Sequence, residues 1–347
     1  DFKNAALSYK QFQGLATAKE TPEFKNSNYN IAYSYFKLKE YDQAGNYFQN
    51  QIDNAKDDKV RLHDSYLRLA DCRFVTSKYT AALEAYNKVI ELKSIDADYA
   101  YFQKAICYGF ISKNDKKIEE LNAFLRLYPK SDYRDDAYFE LGNTYVADNK
   151  QDLAIKTYDK LNAEFKSGSF TSKAILRQGL IYYNSDKDEQ ALTKFKKVVA
   201  DFPKTPEALE AVSTARLIYV DNGRVDEYAT WVRTLDFVAV TDAELDNDTY
   251  EAAEKQYLQN NTKQAISGFS GYVSKFPRGI HSLKANFYLA QMYFSDAQES
   301  KSVPNYEYVI EQPRSEFTEQ SLARLAQIFL KNDDKTKAIS VLTRLEN

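Results

Sequence analysis

Apolar residues recur three or four positions apart along almost the whole chain, on either side of short polar breaks such as "ADNKQD" at 147 and "NSDKDEQ" at 184. That spacing gathers them on one face of an α-helix, so each pair of segments around a break predicts a helical hairpin. A finer signal runs through the same segments. Small residues stand at Ala32, Ala70, Ala105, Gly142, Gly179, Ala215, Ala253, Ala290 and Ala326, spaced 35 to 38 apart. Twelve positions after each comes a second anchor, small at Ala44, Ala82, Ala154, Ala191, Ala265, Ser302 and Ala338. Sixteen positions after comes a large one: Phe48, Tyr86, Leu121, Tyr158, Phe195, Trp231, Phe269, Tyr306 and Leu342. Small facing large at a fixed interval is what two closely packed helices need, because bulk at the small site would overpack the contact.

A second regularity punctuates the first. Pro129, Pro203 and Pro277, each preceded by an aromatic and followed by a basic residue, return at intervals of 74. The richest of these stretches, "YPKSDYRDDAYFELGNTY" at 128–145, lacks the glycines of a phosphate cradle. Constant return points to architecture. Ser131 or Asp132 is therefore predicted to cap the next helix, with Asp135 and Asp136 in its first turn. The Thr-Pro-Glu triplets at 21–23 and 205–207 predict further helix starts.

The unit Tyr138-x2-Leu141-Gly142-x2-Tyr145 … Ala154-x3-Tyr158 resembles the tetratricopeptide repeat (TPR), and the three prolines occupy that repeat's terminal proline position. The resemblance covers essentially the whole chain. It implies an all-α fold, a right-handed α-solenoid of about nine TPR-like hairpins plus an N-terminal half-repeat. The period near 37 and the junctions at Pro129 and Pro203 are similar to TPR proteins of Gram-negative cell envelopes, including the outer-membrane assembly lipoprotein and cell-division coordinator families. Two repeats depart from the pattern. Repeat 3 carries Lys117 at the second anchor; repeat 6 carries Glu227 there and Ile218 in place of the first-helix Tyr. The stretch "TLDFVAVTDAELDND" has no helical period, so residues 236–247 are expected to form an irregular seam or bend. Repeats 1 to 6 with the leading half-repeat then occupy 1–235, and repeats 7 to 9 occupy 248–347. "NAALSYKQFQGL" is expected to be a second helix anchored by Ala5 and Tyr9, and "AISVLTRLEN" another with Leu342 and Leu345 packed. With no polar capping helix after it, the array is expected to be part of a longer one or covered at its ends.

Composition narrows the function classes. Among 347 residues there are 28 Tyr and 21 Phe but only 7 Pro and 10 Gly, which favours long helices with bulky packing residues. A net charge of −3 and a pI near 5.7 give no electrostatic reason to bind nucleic acid. No apolar run reaches the length of a membrane-spanning helix, so no transmembrane segment is expected in this chain. Cys72 and Cys107, each two residues after a small anchor, should be buried, unpaired thiols, since equivalent atoms of stacked helices lie too far apart for a disulfide. His63 and His281 lie in different repeats without a Cys, Asp or Ser partner at a familiar spacing, so no triad and no metal set can be assembled. The acidic run "DAELDND" at 242–248 lacks a calcium loop's central Gly and terminal Glu; Asp248 and Glu251 are spaced as a capping box.

What remains is a surface. The resemblance carries ligand-facing positions onto the first helices, three residues before and four after each small anchor. Their aromatic members make a stripe of Tyr29, Phe36, Phe74, Phe102, Phe139, Tyr183, Tyr219, Tyr250, Tyr257, Phe287 and Phe294, interrupted by Leu67, Gly109, Val146, Leu176, Val212, Ala323 and Leu330. Asn143, one residue after its anchor, is added to the expected groove. Such a groove suits an extended peptide or amphipathic helix; the alternative is that adjacent repeats bury the stripe against each other. A carboxylate clamp is approximated only by Asn143, Lys173 and Arg177, with Phe139 where its first Lys belongs. The expected function is a non-catalytic scaffold with no cofactor, holding a protein or peptide partner in a bacterial envelope complex, with association with an outer-membrane complex as a further expectation. The alternative function is a ligand-responsive sensor whose curvature changes on binding. The expected location is the periplasm or envelope, with the cytoplasm as the other option.

Overall fold

The computed structural model describes residues 1–54 and 57–346, and these are all-helical: nineteen α-helices and one 3-10 turn, without strands. The chain divides into two compact units, Asp1–Ile181 and Tyr182–Asn347. In the first unit α1 (Phe2–Gln13) is followed by the hairpins α2 (Pro22–Lys37) with α3 (Tyr41–Asn54) and α4 (Lys59–Val75) with α5 (Tyr79–Glu91). Then come α6 (Ala97–Phe110) with α7 (Asn114–Leu127), α8 (Arg134–Ala147) with α9 (Gln151–Glu164), and α10 (Thr171–Tyr183), near whose end the division falls. The second unit holds α11 (Asp188–Asp201), α12 (Pro206–Asp221) with α13 (Val225–Val232), and α14 (Asp242–Leu258) with α15 (Thr262–Lys275). It ends in α16 (Ser282–Ser295) with α17 (Glu299–Glu311) and α18 (Thr318–Lys331) with α19 (Lys335–Glu346). Within each unit, helices adjacent in sequence pack on each other, so each unit is a stack of hairpins.

The small and large anchors build the core. All nine small residues are buried, as are the large rings of Phe48, Tyr86, Tyr158, Phe195, Phe269 and Tyr306. Gly142 shows why size is restricted there: a Cβ would lie 2.7 Å from Cζ of Tyr158, whose hydroxyl donates to Asn143 Oδ1 at 2.7 Å. Each hairpin turns through a left-handed residue seven positions after its small anchor: Lys39, Ser77, Ser112, Asn149, Asp186, Asn260, Ala297 and Asp333.

Repeat 6 breaks that register. Its left-handed residue is Gly223, seven after Arg216 and eight after Ala215. Arg216, not Ala215, therefore occupies the small-anchor position, and the twelve- and sixteen-residue offsets fall on Tyr228 and Val232, 3% and 1% exposed. Glu227 is consequently turned outward, where it pairs with Arg224 at 2.7 Å. The terminal segments are helices as expected but rotated by a residue. In α1 the buried residue is Ala6, while Tyr9 is exposed. In α19 Ala338 and Val341 are buried and Leu342 is exposed, with Leu345 partly packed.

Two helix starts also differ from expectation. Helix α14 begins at Asp242, capped by a reciprocal Thr241–Glu244 box, so residues 242–247 are helical and Asp248 lies inside the helix. The irregular stretch is correspondingly shorter than 236–247. Ser131 does not cap α8: its hydroxyl donates to Asp98 of the preceding repeat at 2.6 Å and accepts from Tyr133 N–H. Thr205 does cap α12, accepting from Ala208 N–H, and Asp135 and Asp136 do fill the first turn of α8.

Candidate functional site

The aromatic stripe is a ladder between repeats. None of its twelve residues is exposed, and Phe102, Tyr219, Tyr250 and Phe287 are buried. The rings three before a small anchor stack on a planar group nine before the next one. Phe102 lies on Tyr133 with centroids 5.8 Å apart, Phe139 on Phe170 at 4.8 Å, Tyr250 on His281 at 4.2 Å and Phe287 on Phe317 at 4.5 Å. Tyr29 is crossed by the Arg61 guanidinium at 5.8 Å and donates its hydroxyl to Asp64. Where the first position is not aromatic, at Leu67, Leu176 and Ser213, the second is acidic: Asp96, Glu207 and Glu244. Offset stacking of this kind adds about 0.5–1.5 kcal/mol per pair beyond area burial. It also gives His281 a structural place, with a ring nitrogen 3.0 Å from Asn247 Oδ1.

The rings four after an anchor form a second rail. Phe36 lies under Arg68 at 5.6 Å, Tyr257 on Tyr288 at 4.9 Å and Phe294 under Arg324 at 4.5 Å, each partner standing two before the next anchor. Tyr183 is half-buried at the end of α10. Tyr219 falls outside the rail because repeat 6 is phased one residue later than its Ala215 suggests. Its ring turns to the core, 1% exposed, beside Tyr228 and Trp231.

Val146, Val220 and Leu330 stand in this rail as aliphatic residues, and at one rung there is no side chain at all. Repeat 3 has Gly109 where a ring is due, and the partner position holds Glu140. Lys117, the residue that departs from the small second anchor, fills part of the vacancy. Its stem passes 3.0 Å from where a Gly109 Cβ would stand, and its ammonium reaches Glu140 at 2.6 Å. The two departures are one feature: the missing ring makes room for a lysine stem, and the stem carries a charge to the next repeat. What Lys117 does not fill is an open groove of about 580 Å³. Its apolar wall is Phe74, Phe102, Ile106 and Phe110, and its polar wall is Gln103, Asn114, Asp136, Glu140 and Asn143. Phe110 stays 56% exposed, although it stacks on Tyr79 at 4.5 Å and meets Phe74 at 5.4 Å. Three of the twelve expected residues, Phe74, Phe102 and Asn143, line this groove. Asn143 is held by Tyr158, and Lys173 lies over Phe170, so neither is poised as part of a carboxylate clamp.

The second unit has a groove of similar size lined by Tyr257, Phe287, Tyr288, Gln291, Met292 and Gln320, and made more polar by Thr262, Ser295 and Asp296. The remaining chemistry-bearing residues are committed to packing. Cys72 and Cys107 are free and buried, and burial pushes both thiols up to about 12, far from the thiolate form at neutral pH. Asp246 accepts from Tyr272 Oη and from Ile280 N–H. Asp248, fully buried, accepts both arms of the Arg216 guanidinium. No described helix is long and apolar enough to cross a membrane.

Two family models, each described as tetratricopeptide repeat, match residues 136–167 with 173–205 and residues 26–58. These segments are tetratricopeptide repeats. The groove at Gly109 thus borders a matched TPR, whose first helix is α8. A solved TPR protein from Parabacteroides merdae ATCC 43184 is similar at 12% identity, over 77% of this chain and 98% of that one, with a TM-score of 0.47. MamA 41-end from Desulfovibrio magneticus RS-1 is similar at 18% identity, over 52% and 97%, with a TM-score of 0.44. YrrB, a TPR protein with an unusual peptide-binding site, is similar at 16% identity, over 57% and 97%, with a TM-score of 0.43. No curated protein matches the chain.

Proposed function

We propose that the protein is a non-catalytic scaffold that holds a peptide segment of a partner protein in the groove at Gly109. The observation that carries this reading is the missing rung. At the other positions of the two rails a ring or another side chain stands in place; here there is no side chain at all, an aromatic and an aliphatic wall stand open, and Phe110 is left in solvent. The walls belong to helices anchored in the core, so a peptide would meet contacts already in place and little ordering cost would fall on the protein. Of the aromatic stripe, Phe74 and Phe102 with Asn143 are the members proposed to contact the partner, joined by Ile106, Gly109 and Phe110.

Selection of a random nonapeptide library displayed on phage against the full chain tests this. Recovered peptides should compete with one another and lose at least about tenfold in affinity for Ile106→Asp, which puts a charge on the apolar wall. Peptides that bind the variant as well as the wild type would remove the groove from the proposal. The envelope setting and any outer-membrane association rest on the resemblance of the repeat junctions, and fractionation of the source cells is the measurement that decides them.

A further inference from the structure

One end of the Gly109 groove carries a carboxylate without a cation. Asp136 lies half-buried in the first turn of α8, and among the described residues no Lys, Arg or His stands within ion-pair distance of it. The groove's own cation, Lys117, is committed to Glu140. Arg134, two residues before Asp136, is turned away to Glu164 at 2.6 Å, and Lys130 is exposed on the preceding loop. Burial, reinforced by the neighbouring Asp135 and Glu140 carboxylates, pushes the Asp136 carboxyl above its ordinary range. Burial, together with the carboxylates of Asp98, Asp96, Asp136 and Asp132, also raises the hydroxyl of Tyr133, the ring that stacks on Phe102.

A partly desolvated carboxylate beside an apolar wall is costly alone and is offset by a cation brought to it. We infer that the groove selects a peptide segment that presents a Lys or Arg side chain to Asp136 and a bulky apolar side chain to the gap at Gly109. The inference rests on the groove being the partner site and adds the chemistry of its occupant. Asp136 and Glu140, which stands at the rail position opposite Gly109, are four residues apart on α8, about 6 Å along its axis. An extended peptide covers that in roughly two residues, and residues two apart point to the same face. The basic and apolar side chains of the occupant should therefore stand about two positions apart.

The same nonapeptide library reads this out when it is selected in parallel on the wild type and on Asp136→Asn, an isosteric change whose folding a circular-dichroism melt checks. On the wild type, Lys or Arg about two positions from Phe, Leu or Trp should be enriched about fivefold over the starting library, and on Asp136→Asn that enrichment should fall within about twofold while the apolar preference stays. Apolar residues enriched without a basic neighbour would overturn the inference and leave the groove as partner site. Basic enrichment that survives Asp136→Asn would overturn it too. No enrichment of either kind, with peptides indifferent to Ile106→Asp, would sink both readings.

Discussion

Two junctions between repeats break the pattern of small residues and rings, and they break it in opposite directions. Between repeats 3 and 4, in the first unit, Gly109 subtracts a ring, and the space is only partly retaken by Lys117, so a groove stays open. Between repeats 6 and 7, in the second unit, Arg216 adds bulk at a small-anchor position. Its partner Asp248 stands five before Ala253, where the other repeats have Ser27, Ser65, Ala100, Ala137, Ala174, Ala211, Ala285 and Ser321, all fully buried. Two small side chains have been exchanged for an ion pair whose carboxylate is fully buried and whose arginine is 36% exposed. The second helix of repeat 6 is short, α13 having 8 residues, and residues 238–240 lie against the ion pair, around a cavity of about 320 Å³. The lesson is that a repeat tolerates an exception when a neighbour supplies the complementary one. Subtraction leaves a groove open, whereas addition is absorbed internally.

The largest expected effect lies at the added bulk. Arg216→Ala leaves a fully buried Asp248 without its cation and should cost about 3–5 kcal/mol. Adding Asp248→Ala restores two small residues in contact and should recover the loss to within about 1 kcal/mol. Urea midpoints, with hydrogen exchange of α12 and α14 as the local readout, check both. A double variant as unstable as the single one would mean that the pair is not a substitute for small–small packing.

Much of this was legible in the chain, and the exceptions have physical reasons. The small anchors marked the hairpins because overpacking restricts size wherever helices touch, and Gly142 under Tyr158 is that restriction seen directly. Repeat 6 is misleading in sequence because Ala215 sits beside Arg216, and an alanine is the natural mark of a small site even when the site has been given to an arginine. The stripe was visible as a set of rings, but one repeat's periodicity shows which face a ring is on, not what covers it. The covering partner was nonetheless present in the sequence. Phe102 and Tyr133, Phe139 and Phe170, and Tyr250 and His281 are each 31 residues apart. The groove was visible only as two unrelated departures, a glycine among rings and a lysine among alanines, until their side chains were seen to share one space.

A smaller effect tests the ladder that both junctions interrupt. A double-mutant cycle between Phe139 and Phe170, stacked with centroids 4.8 Å apart, should give a coupling of about 0.5–1.5 kcal/mol. The same cycle between Leu67 and Asp96, at an equivalent place without rings, should give about 0.3 kcal/mol or less. Equal couplings would mean that the rings are not what joins successive repeats.

The smallest expected change in stability accompanies the most informative change in binding. Gly109→Phe puts back the missing ring; the atoms nearest its Cβ belong to the flexible end of Lys117, which can give way. Calorimetric titration of a library-selected peptide into the full-length Gly109→Phe protein, alongside its thermal melt, should show affinity reduced at least about tenfold with the folded state kept within about 1 kcal/mol of wild type. Undiminished affinity in a folded Gly109→Phe protein would contradict the claim that the missing ring makes the binding site.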